Sequence, residues 1–162
     1  MKLKSFIIPF IFAVLFIVML RSFFISNYII DGHSMAPTFH DGDRVLVNQF
    51  IDIVIEPKKD DVYFFKLNER EVMVKRIVAT PGDYIKVSNG TVYINGKKTR
   101  YHDQSMTQLL DDRIKQYRTV QNDCYLVLGD NLDKSTDSRT FGCINRNQMI
   151  GKVIYTYWHN KK

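Results

Sequence analysis

A long apolar run near the start of the chain constrains the fold more than any other feature. Residues 6–20 carry no charged or polar side chain; Lys2 and Lys4 precede this run and Arg21 follows it. A helix from residue 4 to residue 24 would measure about 30 Å, which matches the hydrocarbon core of a bilayer. Basic residues before the run favour a cytoplasmic N-terminus. We therefore predict a cytoplasmic tip and transmembrane signal anchor over residues 1–26, with residues 27–162 forming one domain outside the cytoplasm.

Other interpretations of this run fit less well. A cleaved signal peptide would share the basic start and the apolar middle, but residues 21–28 contain no small-x-small cleavage pattern. A core helix buried in a globular domain is rarely so uniformly apolar. Residues 1–26, which include this run, hold half of the net charge of +6. The remainder of the chain is too weakly basic to indicate nucleic-acid binding.

The rest of the chain is predicted to be mainly β. Short apolar runs recur between turn signals at residues 27–30, 44–47, 62–66, 72–80, 84–87, 91–94, 124–128 and 151–158. Asn89-Gly90 and Asn95-Gly96 predict two-residue hairpin turns, because both central positions of a type I′ turn need a positive φ. A weak apolar stripe at residues 106, 109, 110, 114 and 117 predicts a surface helix or an irregular insert. We expect an antiparallel β domain behind a membrane anchor.

Several kinds of site are excluded by the residues present. Two cysteines, Cys124 and Cys143, are too few for a four-cysteine metal site, and they could form one disulfide or remain two thiols. The sequence contains no His-Glu-x-x-His motif and no phosphate-binding loop. The acidic loop at residues 129–142 lacks the glycine and the glutamate that a calcium loop needs. We expect neither a metal nor a cofactor.

A lysine within an apolar strand is the first candidate for chemistry. Lys75 and Arg76 are adjacent cations in the run of residues 72–79. Burial can lower the pKa of a lysine by several units, whereas arginine stays charged. Lowering the lysine pKa from about 10.4 to about 7.4 costs about 4 kcal/mol. A fold most plausibly retains such a cost where a neutral amine has to accept protons. The plainer alternative is an edge-strand lysine whose ammonium reaches water.

Ser34 is the matching candidate for a nucleophile. It lies in a turn just after a short apolar strand, and Gly32 frees the backbone to bring amides near a developing oxyanion. Turn chemistry alone would usually explain such a serine. His33 is badly placed as its base, because neighbours in an extended chain point in opposite directions. The other histidines lie in no recognisable triad context.

Four segments, in order behind the anchor, resemble type I signal peptidases, the membrane-anchored Ser/Lys proteases that remove signal peptides. Residues 34–38 are similar to the nucleophile box of that family, and residues 42–47 follow it. Residues 75–83 are similar to its lysine box and residues 129–142 to its final box, with the compact spacing of Gram-positive members. The resemblance implies antiparallel sheets that form a catalytic groove, to whose edge a substrate strand adds.

The resemblance also implies roles for single residues. Ser34 would be the nucleophile that forms an acyl-enzyme, and neutral Lys75 would be the general base and later the acid for the leaving amine. In the final loop, Ser135 would orient the lysine, and Asp137 and Arg139 would support it. No metal or other cofactor takes part in this mechanism.

The implied function is a serine endopeptidase that removes signal peptides from exported preproteins at the outer face of the membrane. Its substrate pocket would suit Ala-x-Ala cleavage sites and would be formed by apolar residues: Ile30, Met35, Phe39, Met73 and Val74. Some members carry a serine oxyanion donor two residues before the nucleophile, where this chain has Gly32. Two alternatives stay open, namely an inactive anchored binding module and a protease dedicated to a narrow client such as a pilin.

Overall fold

The computed structural model describes residues 2–50, 55–110 and 119–160. Helix α1 spans Lys2–Phe24, close to the bounds predicted from the sequence, and strand β1 (Ile25–Ile29) follows it directly. Among the parts of the chain that the structure describes, none of the helices has the length and apolar character that a bilayer crossing requires. The predicted mainly β domain is confirmed, whereas the transmembrane helix predicted before it is not found among the described residues.

The larger sheet has six antiparallel strands. Its members after β1 are β2 (Arg44–Asn48), β3 (Val62–Asn68), β4 (Glu71–Ala79), β8 (Leu126–Leu128) and β9 (Met149–Trp158). Their order across the sheet is β1-β2-β9-β3-β4-β8. Strand β4 contributes to three buried clusters: Val74 to one, Ile77 to a second, and Val78 and Ala79 to a third. Val74 and Ile77 lie on opposite faces because successive side chains alternate.

The smaller sheet is a three-stranded meander of β5 (Ile85–Ser88), β6 (Thr91–Ile94) and β7 (Lys97–His102). Both predicted hairpin turns are confirmed. Asn89 and Gly90 have φ values of 49° and 73°, and Asn95 and Gly96 have φ values of 50° and 76°. Strand β7 was not predicted, because its sequence Lys-Lys-Thr-Arg-Tyr-His contains only one apolar side chain.

Short helical turns and one covalent link complete the domain. Helix α2 (Ser138–Phe141) lies in the final loop, and 3-10 turns cover Gln104–Leu110, Leu132–Lys134 and Arg146–Gln148. The first of these turns begins the predicted insert and buries Met106 and Leu109, while residues 114 and 117 of the same stripe lie outside the described residues. A disulfide joins Cys124 to Cys143 across the final loop, so the alternative of two thiols is excluded.

One edge of β4 is only partly covered, and this positions the site. On one side, strand β3 pairs with residues 71–76 of β4. On the other side β8 pairs with Arg76, Ile77 and Ala79. Within the described part of the chain, no strand pairs with residues 71–75 on that second side. A backbone edge of five residues, ending at Lys75, is therefore open.

Candidate active site

The structure brings Lys75 and Ser34 into direct contact. Lys75 lies in β4, and Ser34 lies in the loop between β1 and β2. The Nζ atom of Lys75 donates a hydrogen bond of 2.8 Å to Oγ of Ser34. Only 4% of Lys75 is exposed, so its amine is not the solvated head of an edge lysine. A base and a hydroxyl are thus within the distance that proton transfer requires.

Burial changes the proton affinity of this amine. It lowers the pKa of Lys75 to about 8, although the nearby Asp137 carboxylate acts in the opposite direction. About one tenth of the amines are then neutral at about pH 7, compared with fewer than one in a thousand for an exposed lysine. The arrangement can therefore supply a neutral amine near physiological pH.

The loop that carries Ser34 is closed at its base by backbone hydrogen bonds. Ile30 N donates to Asp43 O, and Gly42 N donates to Ile30 O, both at 2.8 Å. Gly32 has a φ of 82°, in the left-handed region that favours glycine. Its N–H donates to Oδ1 of Asp41 at 2.9 Å, so this amide is not free to face an oxyanion.

The backbone N–H of Ser34 differs from that of Gly32. Among the residues that the structure describes, no acceptor is hydrogen-bonded to it. The carbonyl of Ser34, in contrast, accepts a 3.0 Å hydrogen bond from Asn131 N in the final loop. The final loop thus holds the Ser34 carbonyl, while the N–H of the same residue stays available as a donor.

The final loop is organised around Asp137, whose side chain is fully buried. Its carboxylate accepts hydrogen bonds from Gly129 N at 3.1 Å and from Nε of Arg139 at 2.8 Å. Nη2 of Arg139 also donates to the carbonyls of Leu132 and Ser135. The hydrogen bond to Asp137 raises the pKa of Arg139. The predicted supporting residues Asp137 and Arg139 therefore form one buried ion pair behind the site.

Ser135 lies against the nucleophile loop. Its Oγ is buried, and among the described residues it has no hydrogen-bond partner. A Cβ added at Gly129 would lie 2.5 Å from both the Ser135 Cβ and the Ser34 carbonyl oxygen, so only glycine fits between them. The structure places the Ser135 hydroxyl close to the dyad without bonding it to Lys75.

A second ion pair was missed by the sequence interpretation. Arg76 donates to both carboxylate oxygens of Asp130, at 2.9 Å and 2.6 Å, and Thr38 donates to the same group at 2.5 Å. Burial raises the pKa of Asp130, but the bonds from Arg76 and Thr38 outweigh this effect and lower it. Asp130 therefore ties the lysine strand, the nucleophile loop and the final loop together. The unusual pair of adjacent cations in β4 was the one available signal.

A cavity of about 580 Å³ opens beside the dyad. It is lined by the end of β1 and the nucleophile loop, by the open edge of β4, and by Lys134 and Thr136 of the final loop. Of the five predicted pocket residues, Met73 and Val74 line this cavity. The other three are packed with Val74 in the buried cluster of the sheet, with exposures of 8% or less: Ile30, Met35 and Phe39.

Comparison with known proteins identifies the family. The family model for signal peptidase, peptidase S26, matches residues 3–158. A signal peptidase I of Bacillus caldolyticus is 36% identical over 95% of this chain and 91% of the relative. Signal peptidase IB of Staphylococcus aureus is 36% identical over 91% of this chain and 84% of the relative.

A solved structure was also found. The crystal structure of a signal peptidase I from Enterococcus faecalis V583 is 25% identical, with a TM-score of 0.48, and the alignment covers 62% of this chain and 99% of that one. The family match and the relatives of similar length carry the assignment. The chain belongs to the signal peptidase I family of S26 peptidases, which cleave signal peptides.

Proposed function

We propose that this chain removes signal peptides from exported preproteins with a Ser34/Lys75 dyad and an acyl-enzyme intermediate. The observation that carries the proposal is the 2.8 Å contact between the buried Lys75 amine and the Ser34 hydroxyl. Burial that lowers the lysine pKa to about 8 supports the role of a neutral general base. No cofactor enters the proposed mechanism.

The proposed reaction begins at the dyad. Neutral Lys75 takes the proton of the Ser34 hydroxyl as Oγ attacks the scissile carbonyl. The Ser34 N–H donates to the developing oxyanion. Lys75 then gives its proton to the leaving amine, and the signal peptide remains bound to Ser34 as an ester. Lys75 next deprotonates a water that hydrolyses this ester and restores the enzyme.

Three residues of the final loop would support this cycle. The carboxylate of Asp137 stabilises the protonated form of Lys75 through its charge. Arg139 holds Asp137 in place by the buried ion pair. The unpartnered hydroxyl of Ser135 lies beside Gly129, on the same side as the Ser34 carbonyl, and would take up a hydrogen bond when the lysine changes protonation or rotamer. We assign Ser135 an orienting role on this ground.

The open edge of β4 would bind the substrate as an added strand. Five residues, 71–75, offer backbone groups next to Ser34, and apolar Met73 and Val74 line the cavity there. Small side chains before the scissile bond, as in Ala-x-Ala sites, would fit against these residues. Ile30, Met35 and Phe39 would act from beneath, by packing behind Val74.

We further propose that residues 1–26 anchor the chain in the cell membrane, with the N-terminus cytoplasmic and residues 27–162 outside. The described side chains of residues 7–18 are all exposed, and most of them are large and apolar, which is unfavourable in water and favourable in lipid. A disulfide between Cys124 and Cys143 fits an oxidising compartment outside the cytoplasm.

The sheet register supports an entry direction for the substrate. Pairing places Ile25 opposite Asn48, Asn48 opposite Lys152, Lys152 opposite Tyr63, and Tyr63 opposite Lys75. Lys75 thus lies in the same row of the sheet as the first residue after α1. The open edge runs from that row back toward the side from which α1 arrives. A signal peptide leaving the bilayer would enter the groove at Glu71 and reach Ser34 with its C-terminal end.

A preprotein cleavage assay in detergent or liposomes tests the dyad. Ser34→Ala and Lys75→Ala should each lower kcat by about a thousandfold or more, because the dyad acts as a unit. Lys98→Ala, which removes an exposed strand lysine from β7, is the matched control and should cleave like the wild type. Wild-type activity should rise with pH around the lysine pKa of about 8.

Other outcomes would select between the alternatives. Equal background cleavage by the wild type and both dyad variants would favour the inactive binding module. Activity restricted to one exported substrate among several would favour the dedicated protease. Full activity of Lys75→Ala would refute the dyad itself.

A further inference from the structure

A polar cluster lies at the base of the nucleophile loop, outside the dyad and its supporting loop. It joins Asp41 and Asp43, at the end of the loop, to His159 and Asn160, which follow β9. We call these four residues the loop clasp. They are far in sequence from Lys75 and the final loop, and none of them lines the catalytic cavity.

Asp41 is the member that reaches toward the nucleophile. Its Oδ1 accepts the Gly32 N–H at 2.9 Å, two residues before Ser34. Nothing lies within 4 Å of the point where a Cβ of Gly32 would be, so no side-chain packing holds this glycine in place. Glycine has the greatest backbone freedom of all residues. The hydrogen bond to Asp41 therefore restrains the Gly32 end of the turn, whereas the bond from Asn131 N to the Ser34 carbonyl restrains its other end.

Asp41 is itself held by the segment after β9. Nδ2 of Asn160 donates to the Asp41 carbonyl at 2.9 Å, and Asn160 N donates to Oδ1 of Asp43 at 2.8 Å. The packing is close, since a Cβ on Gly42 would lie 2.5 Å from Asn160 Nδ2. The segment after β9 thus fixes Asp41 relative to the sheet, from the opposite end of the chain to the nucleophile.

Asp43 is the buried member of the loop clasp. It is 0% exposed, and its Oδ2 accepts the His40 N–H at 2.9 Å and lies 3.5 Å from Nδ1 of His159. Burial raises the pKa of Asp43, but the hydrogen bonds from His40 and Asn160 outweigh burial and lower it. The carboxylate therefore stays ionised as an acceptor throughout the neutral pH range.

We propose that Asp41, held by Asn160, is a positioning residue that aims the Gly32–Ser34 turn at Lys75 and at the substrate carbonyl. This rests on the proposed dyad. A misplacement of about 1 Å at a reacting atom can lower a rate by about a hundredfold, so a single restraint on a glycine turn can affect turnover strongly. Because Asp41 does not contact the cavity, its loss should lower kcat and leave KM nearly unchanged.

Three variants of the full chain test the proposal. Asp41→Ala removes the acceptor and should lower kcat about tenfold or more. Asp41→Asn keeps a carbonyl oxygen as acceptor and should retain kcat within about threefold. Asn160→Ala removes only the bond to the Asp41 carbonyl and should fall between them. The matched control is Asn145→Ala, which removes the side chain of the N-cap residue of an exposed 3-10 turn outside the catalytic cavity and should keep wild-type kcat.

Thermal unfolding and amide hydrogen exchange separate positioning from general stability. Asp41→Ala and Asn145→Ala should lower the Tm by similar amounts, yet only Asp41→Ala should lower kcat and expose the Gly32 amide to exchange. A wild-type Gly32 amide that exchanges freely would overturn the proposal whatever the activity of the enzyme. Equal losses of kcat in Asp41→Asn and Asp41→Ala would also overturn it. Failure of the dyad itself would appear separately, as a wild type no more active than Ser34→Ala.

Discussion

The stability of the fold should depend on pH through Lys75, and its pKa gives the magnitude. Burial lowers this pKa from 10.5 to about 8. At about pH 7 the amine is mostly charged in both the folded and the unfolded protein. Burying this charge in the folded protein costs about 3 kcal/mol. Between the two pKa values the unfolded chain holds a proton that the folded chain has released. Stability therefore increases as the pH rises through that window.

Lys75→Met removes this cost, because methionine has a similar length and no charge. We expect the free energy of unfolding of Lys75→Met to exceed that of the wild type by about 2 kcal/mol less at about pH 9.5 than at about pH 7. Comparing two pH values cancels the effects of packing and of the lost bond to Ser34, since these do not depend on pH. Equilibrium urea unfolding of the full chain in detergent, followed by circular dichroism, measures the difference.

Lys98→Met provides the control, because Lys98 is exposed in β7 and should give no such pH dependence. The reasoning is refuted if the gain from Lys75→Met is the same at both pH values, or if it grows with pH. Either result would mean that the amine of Lys75 is charged at no cost in the folded protein, and that its ability to act as a neutral base needs another explanation.

Further tests address the parts that surround the dyad. Gly129→Ala should lower kcat at least about tenfold, because its Cβ would displace the Ser34 carbonyl by steric contact; cleavage at the wild-type rate would show that the loop yields freely. Asp130→Ala should destabilise the fold by about 1.5–3 kcal/mol in urea unfolding, because it removes the carboxylate that accepts two hydrogen bonds from the half-buried Arg76; a loss below about 1 kcal/mol would contradict this. Reducing the disulfide should lower stability by about 2–4 kcal/mol, and an unchanged Tm in reductant would exclude such a contribution.

Local patterns in the sequence predicted most of the secondary structure. The Asn-Gly turns at residues 89–90 and 95–96 fixed the small sheet, because their backbone requirement is local. Strand β7 was not predicted, because Tyr101 is the one apolar side chain in it and the segment has no apolar alternation. The Asn95-Gly96 turn before it was the available signal, since a two-residue hairpin requires a partner strand on each side.

The site was predictable where a residue type was out of place. Lys75 is a cation in an apolar strand, and the structure places it on Ser34. The partner of Arg76 was not predictable, since Asp130 is 54 residues away and looked like any acid in a polar loop. Similarly, Ile30, Met35 and Met73 are all apolar, and the sequence does not tell which of them line a cavity. In the structure Met73 lines the cavity, whereas Ile30 and Met35 lie in the core beneath it.

The direct junction between α1 and β1 has a consequence for substrate choice. Phe24 ends the helix and Ile25 begins the strand, and the junction is braced by a 2.9 Å hydrogen bond from Gln49 N to the Phe24 carbonyl and by contact between the Phe24 and Phe50 rings. With the proposed anchor, a domain joined this directly to its helix would keep its nucleophile at a nearly constant height above the lipid. The enzyme would then select cleavage sites by their distance from the membrane, and would cut a substrate only where its own apolar helix ends at a matching depth.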